Sequence, residues 1–268
     1  MKNIAIHSVP RSGSTWLGNI FNSHPKVKFS YQPLFSYAFK DRINENSTAK
    51  EISGFLNDIF FSDDDFINQK EAQKKGLVPI FKKDDILNVN CYKEVRYHHI
   101  LKNLLDQNNE IKVIGLVRNP LATINSWLKA PREFRADLDW KVEDEWLYAP
   151  KKNLSKPEEY NGYIKWKETA ILFEELAQKY PNQFYLLKYE DLLSNKINTL
   201  NSVFQFCNLD LHDQTKRFLK NSNSKNINNS YSVFKIKKTD DSWKKSLPDY
   251  IINYIKEDIN SGILSKYL

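Results

Sequence analysis

Residues 8–15, Ser-Val-Pro-Arg-Ser-Gly-Ser-Thr, separate an apolar run, Ile4-Ala5-Ile6, from an amphipathic stretch that begins at Trp16. An apolar run, a turn containing Pro and Gly, and then helical spacing read as a strand, a tight loop and a helix N-terminus. That junction gathers backbone N–H groups and the positive end of a helix at one point, beside Arg11 and the hydroxyls of Ser12, Ser14 and Thr15. Chemically it is an anion site. The plainer alternative is an ordinary strand-to-helix turn in which a serine or threonine caps the helix.

The nucleotide-binding loop G-x-x-x-x-G-K-[ST] is the natural template for comparison. Gly13 and Thr15 match its second glycine and its final hydroxyl residue, but Ser8 replaces the first glycine and Ser14 the lysine. The positive charge has moved into the loop, to Arg11. A site for a Mg-bound triphosphate keeps the lysine. This one suits a smaller, less charged group held by a guanidinium and backbone amides.

A second segment points the same way. Ile111–Val117 is a nearly continuous apolar run, as in a strand buried in a parallel sheet, and it ends in Arg118-Asn119-Pro120. Asn119 is a favoured N-cap and Pro120 a favoured first helical residue, so a helix is predicted from Pro120. Ser126 then lies about 9 Å along that helix from Pro120. An arginine at a strand end and a serine on the following helix form a second anion clasp, at the edge where open α/β sheets bind ligands.

Strands are predicted at Asn3–His7, Val27–Ser30, Asn90–Val95, Ile111–Val117 and Phe184–Leu187. Helices are predicted at Ser14–Ser23, after Ile100, and at Pro120–Lys129, Gly162–Tyr180 and Asp191–Cys207. The alternation implies βαβ units in an α/β fold, with a mostly parallel central sheet flanked by helices. Trp166, Ala170, Phe173, Ala177 and Tyr180 share one helix face and read as a core stripe.

With two anion sites on neighbouring strand ends, the chain resembles the sulfotransferases that use 3'-phosphoadenosine 5'-phosphosulfate (PAPS). Pro10-Arg11-Ser12-Gly13-Ser14-Thr15-Trp16 is similar to their 5'-phosphosulfate loop. Leu116-Val117-Arg118-Asn119-Pro120 through Ser126 is similar to their 3'-phosphate motif, with the same eight-residue spacing of arginine and serine. Tyr189-Glu190-Asp191-Leu192-Leu193 and a basic stretch closing on Trp243-Lys244-Lys245 follow in family order, so the likeness spans residues 8 to 245.

The resemblance implies a P-loop-NTPase-like sulfotransferase fold, one domain over residues 1–268, and transfer of a sulfuryl group from PAPS without a metal. It implies that Arg11, Ser12, Gly13, Ser14, Thr15 and Trp16 hold the 5' end, Arg118 and Ser126 the 3'-phosphate, and that Tyr189 lies near the adenosine. The family's Arg-Lys-Gly loop is represented by Lys235, Lys237 and Lys238, which keep the charge but not the arginine or glycine. Sulfuryl transfer, like phosphoryl transfer, accumulates charge on the leaving oxygen, and Arg11 is the group placed to stabilise it.

A catalytic base is harder to assign. Several relatives place a glutamate just after the second strand, where this chain has Gln32. Others use Lys-Thr-His before the 3'-phosphate motif; here Lys93 matches the lysine, and Val95 occupies the histidine position. The candidates are ranked Glu94, then His98, then His99, with Lys93 as a supporting catalytic group.

Net charge +7 favours anionic partners, and the scattered lysines argue against nucleic acid. Two cysteines are too few for a disulfide framework. No apolar run nears 18 residues and no signal-like segment is recognisable, which favours a cytoplasmic setting without a membrane span. Residues 38–88 and 130–160 read as insertions around an acceptor pocket. Within them Asp63-Asp64-Asp65 lacks calcium-loop spacing and reads as a solvated turn. The loop style and Tyr31-Gln32-Pro33-Leu34 resemble carbohydrate sulfotransferases of bacterial type, implying a sugar or glycan acceptor. The alternatives are a P-loop kinase or NTPase, and a non-catalytic nucleotide-binding relative.

Overall fold

In the computed structural model, which describes residues 1–222, 227, 229, 231–234 and 239–268, the N-terminal apolar run forms β1 (Lys2–His7), and Ile4, Ala5 and Ile6 are fully buried. The other strands are β2 (Val27–Tyr31), β3 (Val89–Glu94), β4 (Lys112–Val117) and β5 (Phe184–Lys188). All pair in parallel, in the order β2-β3-β1-β4-β5. The chain runs from β1 to the edge strand β2, returns to β3 between them, and then crosses β1 to build β4 and β5 on the other side. The C-terminal end of β1 therefore lies where the winding reverses, the place where such sheets open a crevice. Register sets Ile6 beside Lys93, and His7 beside both Glu94 and Gly115.

The helices are α1 (Ser14–Asn22), α2 (Ala49–Phe61), α3 (Lys70–Lys74), α4 (Leu101–Gln107), α5 (Pro120–Leu128) and α6 (Val142–Glu145). They continue with α7 (Pro150–Asn153), α8 (Gly162–Lys179), α9 (Tyr189–Ser194), α10 (Lys196–Phe206), α11 (Asp213–Ser222) and α12 (Asp249–Asp258). One core fills the space between the sheet and α2, α4, α5, α8 and α12, with Ala5, Tyr92, Val113, Phe55 and Phe173 at its centre. A second, on the opposite face, joins Ile4, Ile6, Cys91 and Ile114 to Leu17 of α1 and Phe204 of α10. Both cysteines are free and buried.

The local signals around α5 operate as expected: the Asn119 side chain accepts from Ala122 N–H at 3.2 Å, and Pro120 is the first helical residue. Two expectations change. The helix expected over 191–207 is two, broken at Asn195 (φ −138°), which lets Leu192 and the Leu200/Val203/Phe204 face both turn inward. The segment 38–88 is more than a polar excursion. Its α2 begins with a capping box between Thr48 and Glu51 and buries Ile52, Phe55, Leu56 and Ile59 over the sheet. Asp63–Asp65 makes a turn in which Asp64 accepts from the N–H groups of Phe66 and Ile67, and Asp65 pairs with Lys70. Among the described residues, no helix is long and apolar enough to cross a membrane.

Candidate active site

The β1–α1 loop is held by both neighbours of its strand. Ser8 N–H donates to the Glu94 carbonyl (3.2 Å), and the Gly13 carbonyl receives Trp16 and Leu17 N–H as α1 begins. Arg11 (φ 70°) and Gly13 (φ 91°) are both left-handed. The arginine costs on the order of 1 kcal/mol in this conformation, strain of a kind that collects at ligand sites. Gly13 is required twice over: a Cβ there would lie 2.5 Å from the Tyr189 ring. The N–H groups of Ser14 and Thr15, the first two of α1, have no intrahelical acceptor. The Ser8 and Ser12 hydroxyls beside them are buried without a hydrogen-bond partner.

The structure brings the two segments read as anion sites together in one cradle. Arg11 Nε donates to Ser126 Oγ (3.3 Å), and an Arg118 Nη donates to the Arg11 carbonyl. Tyr189 sits against both, with the Arg118 guanidinium 5.0 Å over its ring and the Trp16 ring edge-on at 6.3 Å. Trp166, fully buried on α8, donates its indole N–H to the Arg118 carbonyl (2.9 Å) and so fixes the end of β4. Burial lowers the Arg11 pKa from its ordinary value. Arg118 is raised because its pairing with Asp240 outweighs burial. That pair is bidentate, at 2.6 Å on both arms, and closed to solvent. In this structure a carboxylate from the C-terminal part of the chain therefore sits where a 3'-phosphate is expected on Arg118. Lys237 and Lys238, like Lys235, lie outside the described residues.

Of the ranked base candidates, the first two, Glu94 and His98, are closed off from solvent. Glu94 is fully buried; one carboxylate oxygen accepts from Leu34 N–H (2.7 Å) and the other has no partner. Burial raises its pKa, and burial lowers that of the adjacent Lys93. Neighbours along a strand face opposite ways. Lys93 points to Tyr31, its Nζ 4.4 Å over that ring, while Glu94 points to the opposite core. His98 is also fully buried, its Nδ1 3.0 Å from His7 Nδ1 and its ring packed on Tyr160 and Phe173. His99 is half-exposed, 3.7 Å from Glu45. Gln32, left-handed at φ 44°, accepts weakly from Arg96, which pairs with Glu159 at 2.9 Å. Neither Glu94 nor His98 is open to an incoming acceptor.

Residues that sequence reasoning passed over stand close to the cradle. Tyr31, at the end of β2, has its hydroxyl within reach of Thr15 and Gln32. The Tyr231 ring lies 5.3 Å under the Arg11 guanidinium. Tyr31 was findable, since strand C-termini face the crevice. Tyr231, Asp240 and Glu133 come from segments without periodicity, which gave no signal.

The family model for the sulfotransferase domain matches residues 1–263. The chain belongs to the sulfotransferase family. Its parallel sheet flanked by helices is the fold of its structural neighbours. Mouse sulfotransferase SULT7A1, solved in complex with adenosine 3',5'-bisphosphate (PAP), superposes with a TM-score of 0.51 at 13% identity, covering 99% of this chain and 87% of that one. Retinol dehydratase, solved with retinol and PAP, gives 0.54 at 14% identity over 96% and 80%. The sulfotransferase domain from the curacin biosynthetic pathway gives 0.51 at 17% identity over 97% and 98%. Comparison of the sequence with curated proteins finds no match.

Proposed function

We propose that this sulfotransferase binds PAPS along the continuous Arg11–Ser126–Arg118 cradle and transfers its sulfuryl group to a hydroxyl of a sugar or glycan. The contact of Arg11 with both Ser126 and the Arg118 side chain carries this reading, because it joins the loop read as the 5'-end site to the strand end and helix read as the 3'-end site. Arg11, with the first-turn N–H groups at Ser14 and Thr15, holds the bridging phosphate and stabilises charge on its leaving oxygen. Ser12 supplies a buried hydroxyl with no protein partner. Arg118 and Ser126 hold the 3'-phosphate once Asp240 is displaced, with Tyr189 and Trp16 forming the aromatic wall beside the adenosine. Lys93, beside Tyr31, faces the sulfuryl group.

Support for a sugar comes from a ledge of partly exposed aromatic rings leading away from Lys93. Tyr31 meets Phe66 edge-on at 5.6 Å, and Phe66 meets Phe35 at 5.9 Å, with the Arg96 guanidinium 4.1 Å over Phe35. Rings interleaved with a guanidinium suit an acceptor with apolar faces and polar edges.

The test is a thermal-shift titration with PAP and with Mg-ATP on the wild type, Arg11→Ala and Arg118→Ala. PAP at 100 times its dissociation constant stabilises a folded protein by about 2.7 kcal/mol. Stabilisation by PAP without Mg²⁺, weakened in both variants, supports the donor site. A response to Mg-ATP alone refutes it in favour of a kinase-like loop.

A further inference from the structure

The reaction needs a group to take the acceptor's proton, and Glu133, a partly exposed carboxylate, lies on the turn that follows α5. Residues 130–134 form a turn in which the N–H groups of Glu133 and Phe134 donate to the Ala130 carbonyl at 2.8 and 2.9 Å. Phe134 is buried against Trp127, which follows Ser126 on α5, so the turn is pinned to the helix that contacts Arg11. Tyr231 ties it down from the other side. Its hydroxyl oxygen accepts from Arg132 N–H (3.0 Å), and its ring lies between the guanidinium groups of Arg132 (4.9 Å) and Arg11 (5.3 Å). Glu133, next in the chain, has a side chain 23% exposed and ion-paired to Lys152 at 3.2 Å. Its charge acts on Arg11 in the loop and on Tyr31 and Lys93 at the ends of β2 and β3.

We propose that Glu133 is the catalytic base of the transfer. The proposal rests on the PAPS reading of the cradle. The acceptor oxygen forms a bond to sulfur while the bond from sulfur to the 5'-phosphate oxygen breaks. The electron pair of the broken bond stays on that oxygen, beside Arg11, and the acceptor's proton passes to a Glu133 carboxylate oxygen before release to water. The ion pair with Lys152 aims the carboxylate, and the open side of the turn admits the acceptor. Glu94 and His98, closed to solvent, keep the strand end and the loop in place without touching the acceptor.

The experiment compares wild type, Glu133→Gln and Glu133→Asp as full chains, with folding confirmed by thermal melts. Calorimetry reads PAP and PAPS binding, and chromatography reads conversion of PAPS to PAP with water as the acceptor. The two ligands carry similar charge at the 5' end, but PAPS places part of it on the sulfuryl oxygens, nearer Glu133. In Glu133→Gln, PAP affinity is expected within twofold of wild type, and the ratio of PAPS to PAP affinity is expected to rise about threefold as a like charge is removed. Conversion is expected to fall about 100-fold, with Glu133→Asp in between. Unchanged conversion in Glu133→Gln overturns the proposal. Where wild-type conversion is at background, the affinity ratio decides, and an unchanged ratio overturns it. Failure of the wild type to bind PAP is a different result: it overturns the donor-site reading, and this proposal with it.

Discussion

Asp240→Asn is expected to tighten PAP binding about 30-fold. Arg118 donates two hydrogen bonds to the Asp240 carboxylate, both at 2.6 Å in a pair closed to solvent, and its remaining bonded nitrogen is committed to the Arg11 carbonyl. A 3'-phosphate takes up Arg118 only by replacing that carboxylate. Hydrogen bonds to charged groups are each worth about 1 kcal/mol more than neutral ones, so exchanging the carboxylate for an amide lowers the cost of displacement by about 2 kcal/mol. At 1.4 kcal/mol per decade that is about 30-fold in affinity. Calorimetry with PAP and with 5'-AMP, which lacks the 3'-phosphate, is the assay. The gain must appear for PAP and be absent for 5'-AMP. Weaker PAP binding in the variant would refute the reasoning, because it would mean that Asp240 stays in place and orients Arg118 toward the ligand.

Three further outcomes are expected. Gly13→Ala meets both a left-handed backbone and the Tyr189 ring, so it should lose about 1–3 kcal/mol in denaturant unfolding and abolish PAP stabilisation in thermal shift. Burial holds His7 at a pKa of about 3 and depresses His98 as well, so the unfolded chain takes up protons that the native pair refuses. His7 should therefore cost about 1.4 kcal/mol of stability at pH 5.5, growing as pH falls from 6.5 toward 3; His98 acts in the same direction, and His98→Gln should flatten melting temperature against pH below 6.5. Trp166→Phe removes the indole bond to the Arg118 carbonyl and should cost about 1 kcal/mol in unfolding while weakening PAP binding.

The sequence by itself determined the five strands and the helix that follows Arg118, because these depend on signals within a few residues of one another. Ile4-Ala5-Ile6 and Ile111–Val117 are continuous apolar runs, and Asn119-Pro120 is a local cap. It also determined the strand–loop–helix junction at residues 8–15, where Arg11 and Gly13 set the turn through their own backbone. It missed the break at Asn195, where inward-facing residues on both sides outweigh continuous helical spacing.

Only the tertiary structure decided which side chains face the chemistry. Glu94 and Lys93 are one residue apart, and the layers on each side of the sheet turn one into the core and the other toward Tyr31. Arg118 meets a carboxylate 122 residues away, and Arg11 meets a serine 115 residues away. Glu133 lies in a turn with no periodicity, and Phe134 packed on Trp127 brings it to the site. Secondary structure is legible where short-range patterning sets it. The contacts of Arg11, Arg118 and Phe134 come from segments apart in the chain, and chain packing alone brings them together.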